Sequence, residues 1–155
     1  MKKLFFSFAI LLSFSAQSQT KDTTIKNISL RDEIMKMDSL LFNVAFNQCD
    51  TVVFKKIISD DIEFYDDRTG LNTSKEIEIK SLIEKCSKKE NLTRVLKNCI
   101  VNKLGDFGAV QIGEHYFLLN NVIIGTASFI HIWQRTKDGW LLKRIISYEH
   151  ASTHN

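Results

Sequence analysis

The chain has no proline, three cysteines and six glycines among its 155 residues. Because proline is absent, no residue removes a backbone donor from the middle of an element, so long uninterrupted strands are allowed. The sequence has no C-x-x-C pair, which argues against a zinc ribbon or a thioredoxin-like redox site. It also has no G-x-S-x-G motif, so the nucleophile turn of the α/β-hydrolases is not indicated.

The chain also has only a small excess of charge of one sign. The chain has 21 lysines and arginines against 18 acidic residues, and its lysines are scattered among carboxylates. The densest basic cluster, residues 85–89, falls where a helix is predicted to end, and cations at that position favour the helix dipole. The sequence therefore predicts no nucleic-acid partner. A charged fraction of 25% and an apolar fraction of 44% are typical of one globular domain.

The N-terminus has the pattern of a secretory signal peptide. Lys2 and Lys3 precede the apolar run Leu4–Phe14, and small polar residues follow it. That run is shorter than the roughly 20 residues that span a bilayer, and Cys49 is the first cysteine after it, so neither a membrane anchor nor a lipid anchor is predicted. We expect an exported protein, periplasmic or secreted, with these parts: signal peptide 1–18, flexible leader 19–28, folded domain 29–151 and tail 152–155.

Three cysteines in an oxidising compartment leave at least one thiol unpaired. Cys86, near a predicted helix end, and Cys99, in the next predicted strand, could form a disulfide. The alternative is that the cysteines are buried free thiols.

Periodicity predicts three helices followed by a sheet. Apolar residues recur at helical spacing in three segments, and the alternation then changes to period two. The predicted helices are Leu30–Asn47, a short one that Asp50 caps and that ends before Asp60, and Ser74–Ser87; the predicted strands are Asp61–Asp67, Leu92–Leu104, Phe107–Leu118, Val122–Thr136 and Trp140–His150.

This order of elements predicts an α+β fold in which three helices pack on one face of an antiparallel sheet. Both faces of the long strands carry apolar residues, for instance Ile112 and Tyr116 opposite Ala109 and Phe117. A sheet with one face in water would not need them. We therefore expect another subunit to cover the outer sheet face.

Three histidines fall among the predicted core positions of the last strands. His115 alternates in phase with Phe117, and His131 alternates with Phe129 and Trp133. Such imidazoles are either core histidines with satisfied nitrogens or groups that face a ligand. Alternation also puts Tyr148 and His150 on one face near the strand end, where Tyr148 either donates to a ligand or orients a histidine. The ligand-binding prediction comprises His115, Trp133, Tyr148 and His150.

Several sequence runs together resemble the nuclear transport factor 2-like superfamily, the cone-shaped fold of ketosteroid isomerase, scytalone dehydratase and SnoaL-like cyclases. The resemblance covers about Leu30–His150 and is most similar to an exported branch known as domain of unknown function 4440. The runs are Phe46-Asn47-Gln48-Cys49-Asp50, residues 63–71 (EFYDDRTGL), residues 108–115 (GAVQIGEH), residues 125–133 (GTASFIHIW) and Ser147-Tyr148-Glu149-His150.

The resemblance implies a strongly bent sheet and three helices that enclose one apolar cavity, a homodimer through the outer sheet face, and a set of catalytic positions. In the isomerases an aspartate on the first strand is the base, and two alignments place it at Asp66 or at Asp67. An acid on a later strand, which stabilises the enolate, corresponds to His131. The catalytic prediction is therefore Asp66 or Asp67 with His131. The branch commonly has a histidine where this chain has Asp66.

The sequence supports two hypotheses of different classes. The first is a protein that binds a small apolar molecule and is, if an enzyme, an isomerase or dehydratase that uses acid–base chemistry without a cofactor. The second is a non-catalytic dimerisation module. A metal site built from His115, His131 and His150 has no ligand pair close in sequence, so no metal is predicted. A cavity above about 300 Å³ would favour a ligand, and a filled interior would favour the module.

Overall fold

The computed structural model describes residues 29–153, so the predicted signal peptide and leader and the last two residues lie outside the described part. Three helices precede most of a six-stranded sheet. The helices are α1 (Leu30–Ser39), which continues as a π-helical segment (Leu40–Phe46), α2 (Thr51–Ile57) and α3 (Lys75–Ser87); the strands are β1 (Ile58–Asp66), β2 (Gly70–Asn72), β3 (Leu92–Leu104), β4 (Gly108–Leu119), β5 (Val122–Thr136) and β6 (Gly139–Ser152).

Each helix begins where a side chain satisfies its first free N–H groups. Ser29 accepts from the Asp32 N–H at 3.1 Å. Asp50 accepts from the N–H groups of two residues of α2 at 3.0 and 2.9 Å, and Ser74 accepts from the Ile77 N–H at 3.3 Å. The three predicted helices are therefore confirmed to within about two residues at each end.

The sheet has the strand order β2-β1-β6-β5-β4-β3. Neighbouring strands are antiparallel except β1 and β6, which run parallel. The α+β prediction is confirmed, but the prediction of an entirely antiparallel sheet is wrong. The meander of β3 to β6 returns the chain beside β1 in the same direction, and a strand at the start of the chain carries no local signal for that pairing. The sequence also missed β2, which is three residues long.

Two irregularities in β6 change which side chains face the helices. The pairing shifts between Trp133↔Leu142 and Ile132↔Arg144, and again between Ser128↔Tyr148 and Thr126↔Ala151. Each shift inserts an extra residue and reverses the alternation beyond it. Leu142 therefore faces the helices before the first shift, Ile145 and Ser147 face them between the two shifts, and His150 faces them after the second. The predicted shared face of Tyr148 and His150 is wrong for this reason.

The core lies between the helices and the concave face of the sheet. Ile34, Ile62, Trp133 and Leu142 are completely buried there. Within residues 29–153, no helix is long and apolar enough to cross a membrane.

One disulfide joins the two sides of the helical layer. Cys49 and Cys86 are bonded, which links the end of the π-helical segment to α3, whereas Cys99 is free. The predicted Cys86–Cys99 alternative is wrong because Cys99 faces α1, with its sulfur 3.4 Å from that of Met35. The alternative of three free thiols is wrong as well.

Candidate functional site

A cavity of about 230 Å³ lies between the concave face of the sheet, the π-helical segment and α3. Its wall is mainly aromatic, with Phe42, Phe46, Phe54, Phe64, Phe117 and Phe129. Five polar residues also reach it: Glu78, Ser81, His115, His131 and Ser147. The interior is thus neither filled nor as large as the about 300 Å³ typical of drug-sized ligands, so it suits a smaller molecule.

His115 on β4 lines this cavity and has one ring nitrogen without a hydrogen-bond partner within residues 29–153. Its Nδ1 accepts from Nε of Arg94 at 3.1 Å, so the neutral ring carries its hydrogen on Nε2. Nε2 is buried and has no hydrogen-bond partner within residues 29–153. Burial, then the charge of Arg94 and then that of His150, lower the pKa of His115 to about 3. His115 is therefore a neutral donor at physiological pH.

Arg94 on β3 holds His115 in that state from a buried ion pair. Its Nη1 and Nη2 donate to the two carboxylate oxygens of Asp38 at 2.8 and 3.2 Å, the two-pronged geometry that strengthens such pairs. Its guanidinium carbon lies 3.8 Å from the ring centre of Phe42. The side chain of Asn47 bonds both the backbone N–H and the backbone C=O of Arg94, at 2.8 and 2.9 Å.

Gln111 on β4 extends this network to His131. Its Nε2 donates to Asp38 at 3.0 Å, and its Oε1 accepts from Trp133 Nε1 at 3.0 Å and faces His131 Nδ1 at 3.3 Å. His131 therefore carries its hydrogen on Nδ1. Burial, followed by the charges of Arg94 and His115, lowers the pKa of His131 well below its usual value. We refer to Asp38, Arg94, Gln111, His115 and His131 as the Arg94 network.

These contacts locate two of the predicted site residues. His131 reaches the cavity wall, but its Nδ1–H is committed to Gln111. Trp133 is completely buried and spends its indole N–H on Gln111, so it packs in the core under the cavity rather than forming its wall.

Neither of the two aspartates predicted as the strand-one base lines the cavity. Asp66 bonds the N–H groups of Arg68 and Thr69 at 2.9 and 3.1 Å and the Arg68 guanidinium at 3.2 Å, so it organises the turn after β1. Burial acts to raise the pKa of Asp66, but the Arg68 and Thr69 bonds outweigh it and hold that pKa below its usual value. Asp67 faces His150, and the cavity wall includes neither carboxylate.

Asp67, His150 and Ser147 form a continuous hydrogen-bonded chain at the ends of β1 and β6. His150 Nδ1 lies 2.5 Å from Asp67 Oδ1, and His150 Nε2 lies 3.2 Å from Ser147 Oγ. We call these three residues the Ser147 chain. Of them, only Ser147 lines the cavity. Adjacent strand residues point to opposite faces, so Tyr148 faces away from the cavity that Ser147 lines, against the predicted ligand contact.

Asp66, Asp67 and His150 could offer three metal-ligand atoms within 4.8 Å of one another. Their hydrogen bonds to Arg68, to the turn and to one another already account for that proximity. The cluster therefore carries no metal assignment.

Glu78 on α3 is a cavity carboxylate that the sequence reading missed. It accepts from Asn72 Nδ2 at 2.5 Å. Burial raises the pKa of Glu78, Asn72 partly opposes this, and the charge of Asp66 adds to it. Glu78 is four residues before Leu82 and so lies on the apolar face of the helix. A carboxylate on that face is the sequence feature that could have identified it.

Asp38, Arg94 and Gln111 were also missed. Asp38 is four residues after Ile34, so it lies on the apolar face of α1, and Gln111 alternates in phase with His115. A buried charge on such a face is a signal in itself, because charges are seldom fully buried without a partner.

Comparison with solved structures identifies the fold. An NTF2-like protein from Cytophaga hutchinsonii is 19% identical over 77% of this chain and 97% of its own, with a TM-score of 0.65. The hexachlorocyclohexane dehydrochlorinase LinA-type3 from Novosphingobium barchaimii is 14% identical, with coverages of 81% and 90% and a TM-score of 0.65. The CamKII hub homology domain of Chlamydomonas reinhardtii is 13% identical, with coverages of 77% and 97% and a TM-score of 0.65.

At the level of sequence, no protein-family model matches the chain and no curated protein matches it. The assignment to domain of unknown function 4440 therefore stays a prediction. The element order, the helices on the concave side of the sheet and these structural neighbours agree: the chain has the nuclear transport factor 2-like fold.

Proposed function

We propose that the protein is an exported binding protein for a small, largely apolar molecule that carries one carbonyl-type oxygen. The observation that carries this is the buried Nε2–H of His115, which has no partner within residues 29–153. Leaving such a donor unpaired costs about 1–3 kcal/mol, and a ligand oxygen in the cavity would remove that cost. The phenylalanine rings of the wall suit the apolar remainder of the ligand.

Export has two supports. Residues 1–18 have the charged, apolar and small-residue regions of a signal peptide. The Cys49–Cys86 disulfide is a bond that persists mainly outside the cytoplasm. N-terminal sequencing of the protein from the exported fraction should find that the chain begins near residue 19; an intact Met1 in the soluble cell fraction would contradict export.

The cavity also supports proton-transfer chemistry of the isomerase or dehydratase type. Glu78 is a carboxylate whose pKa is raised by burial, which makes it a stronger base than an exposed one when it is ionised. The His115 N–H would stabilise the negative charge that develops on the ligand oxygen. A dehydrochlorinase shares this fold, which supports small-molecule chemistry in it. Glu78 replaces the predicted strand-one aspartates in this role.

Two matched probes test the binding proposal. Cyclohexanone and methylenecyclohexane share one ring and differ in a C=O against a C=CH₂ group. Ligand-observed NMR titration should show several-fold tighter binding of cyclohexanone, because one neutral hydrogen bond contributes about 1 kcal/mol. His115→Phe should abolish this preference, and Glu114→Gln, an exposed neighbour on the same strand, should keep it. Equal binding of both probes to the unaltered protein would contradict the proposal.

Hydrogen exchange tests turnover separately. In D₂O the protein should catalyse exchange of the protons next to the carbonyl of cyclohexanone, and NMR measures the rate. Glu78→Gln should lower that rate about 100-fold while cyclohexanone still binds. Exchange no faster than in buffer would leave a binding protein without this activity.

The outer sheet face favours a second function, self-association. A row of apolar side chains runs across five strands in register on that face: Ile100, Ile112, Ile130, Ile146 and Tyr65. Ile100 is 59% exposed and Tyr65 is 41% exposed. Exposed apolar rows of this kind mark protein interfaces. The CamKII hub domain of the same fold supports assembly, and we assign this face to a homodimer.

Light scattering after gel filtration tests the dimer. Ile112→Lys places a charge at the centre of the row and should convert dimer to monomer, whereas Lys103→Ala, an exposed residue of β3, should not. A monomeric unaltered protein would contradict the assignment.

A further inference from the structure

The Ser147 chain has the connectivity of a nucleophile, a base and an orienting carboxylate. Ser147 Oγ lies 3.2 Å from His150 Nε2. On the other side of the same ring, Nδ1 lies 2.5 Å from Asp67 Oδ1, and the His150 backbone N–H donates to Asp67 Oδ2 at 3.3 Å. Such constellations are recognised by geometry rather than by sequence motif, so the absence of G-x-S-x-G does not count against it.

A bulge in β6 creates this arrangement. Residues three apart on a regular strand face opposite sides, which would separate Ser147 from His150. The pairing shift opposite Ala127 adds one residue, and Glu149 takes the left-handed φ of 55°. That conformation is uncommon for a residue other than glycine and is found where the backbone re-aims a side chain. Here the re-aimed side chain is that of His150, which returns to the face that holds Ser147.

The hydrogen-bond partners of His150 fix its tautomer. Desolvation acts to raise the pKa of Asp67, but the hydrogen bonds from His150 hold it below its usual value, so Asp67 is ionised at neutral pH. An ionised carboxylate only accepts, so His150 carries its hydrogen on Nδ1 and turns the Nε2 lone pair to the hydroxyl. Asp66 Oδ2 lies 3.9 Å from Nε2 and adds a second negative charge. The Arg68 guanidinium forms an ion pair with Asp66, and Arg68 lines the same cleft as His150.

The Ser147 chain lies between two spaces. Ser147 lines the apolar cavity, and His150 lines a neighbouring open cleft of about 400 Å³. Phe117 borders both spaces and stacks on the His150 ring, with ring centres 6.1 Å apart. A molecule cleaved at Ser147 therefore has space for one part in the cavity and for the other in the cleft.

We infer that Ser147 is a nucleophile and that the protein cleaves esters of small apolar carboxylic acids, with the acyl group in the cavity and the leaving alcohol towards the cleft. The inference rests on the proposed function in one respect, since the His115 N–H that binds a carbonyl oxygen also serves the oxyanion. His115 and Ser147 reach the same cavity from β4 and β6, with β5 between them.

The reaction has two balanced steps. The Ser147 oxygen bonds to the carbonyl carbon while its proton passes to His150 Nε2, and the C–O bond to the alcohol breaks as His150 returns that proton to the leaving oxygen. Water then adds to the acyl-serine and gives a proton to His150 Nε2. The bond to Ser147 breaks as His150 passes that proton to the serine oxygen, which releases the carboxylic acid and restores the hydroxyl.

Hydrolysis of p-nitrophenyl butyrate and labelling by diisopropyl fluorophosphate test the inference. The purified protein should release p-nitrophenolate faster than buffer, and intact-mass and peptide mapping should place one label on Ser147. Ser147→Ala should lower kcat/KM about 100-fold or more and abolish the label, and Asp67→Asn should lower kcat about 100-fold. Ser87→Ala, which removes an exposed hydroxyl at the end of α3, should change neither.

The cyclohexanone titration on the same variants separates the two proposals. Ser147→Ala should still prefer cyclohexanone to methylenecyclohexane. A protein that keeps this preference but neither hydrolyses the ester nor takes the label at Ser147 would overturn the nucleophile and leave the binding site standing. If Ser147→Ala does not fold, Ser147→Cys takes its place. Iodoacetamide should then modify Cys at 147 faster than it does in the His150→Gln double variant, and equal rates would overturn the inference.

Discussion

The Arg94 network and the Ser147 chain are two polar clusters on one sheet, and they surround their histidines with charges of opposite sign. His115 and His131 face the Arg94 cation and are buried, so both are held neutral. His150 faces two carboxylates at the end of the sheet. The two clusters therefore differ in the charge beside the ring: His115 and His131 are fixed as neutral hydrogen-bonding groups, whereas the His150 ring lies next to carboxylates.

Removing Arg94 should cause the largest change. Arg94→Met leaves the Asp38 carboxylate buried without its ion-pair partner, which costs about 3–5 kcal/mol, and urea denaturation measures the loss. The double variant Asp38→Leu/Arg94→Met should recover most of it, since a buried pair replaced by apolar groups is often neutral. The matched control is Lys97→Met on the same strand, whose ion pair with Glu114 is exposed and whose loss should leave the midpoint unchanged. A small loss in Arg94→Met would show that the network is not a stability element.

The second largest effect should be the stability that the Arg94 network loses in acid. The pKa of His115 is about 3 in the folded state and near 6.5 in the unfolded chain, so the unfolded state binds more protons between those values. The contribution of His115 to the free energy of unfolding is complete above pH 6.5 and is lost as the pH falls towards 3. At pH 5 the loss is about 2 kcal/mol. His131 acts in the same direction.

Urea midpoints at pH 7 and pH 5 measure this loss. In His115→Phe the difference between the urea midpoints at pH 7 and pH 5 should shrink by about the amount that His115 contributes. An undiminished difference would assign the acid sensitivity to other groups.

The smallest effect should be a change of tautomer without loss of fold. Long-range ¹H–¹⁵N NMR should find hydrogen on Nε2 of His115 and on Nδ1 of His131 and His150, as their partners require. Asp67→Asn should alter the signals of His150 alone. A change at His115 or His131 in that variant would mean that the two clusters are one coupled unit.

Local patterns predicted most of the fold, because helix caps and periodicity act over a few residues. Asp50 caps α2 as predicted, and Ser29 and Ser74 cap the other two helices in the structure. The candidate site was less predictable because its partners are distant in the chain. Asp38 and Arg94 are 56 residues apart, and only the tertiary packing of α1 on β3 brings them together.

Alternation failed at the end of β6 for a physical reason. A bulge adds one residue without a compositional signal, and each one reverses the facing of all later side chains. The prediction therefore chose Tyr148 where the structure places Ser147 in the cavity wall. His150 lies on the face that holds Ser147, but it lines the neighbouring cleft rather than the cavity.

The contact between Asn47 and the backbone of Arg94 has a consequence for how copies of the chain meet. β3 is one edge of the sheet, and free backbone groups on an edge invite another strand to pair with it. The Asn47 amide bonds one N–H and one C=O there, as a neighbouring strand would, and Arg31 bonds the Cys99 C=O at 3.0 Å. The opposite edge, β2, is three residues long. A strand that adds to β3 would therefore first have to break the contacts at Arg94 and Cys99, and one that adds to β2 would find only three residues to pair with.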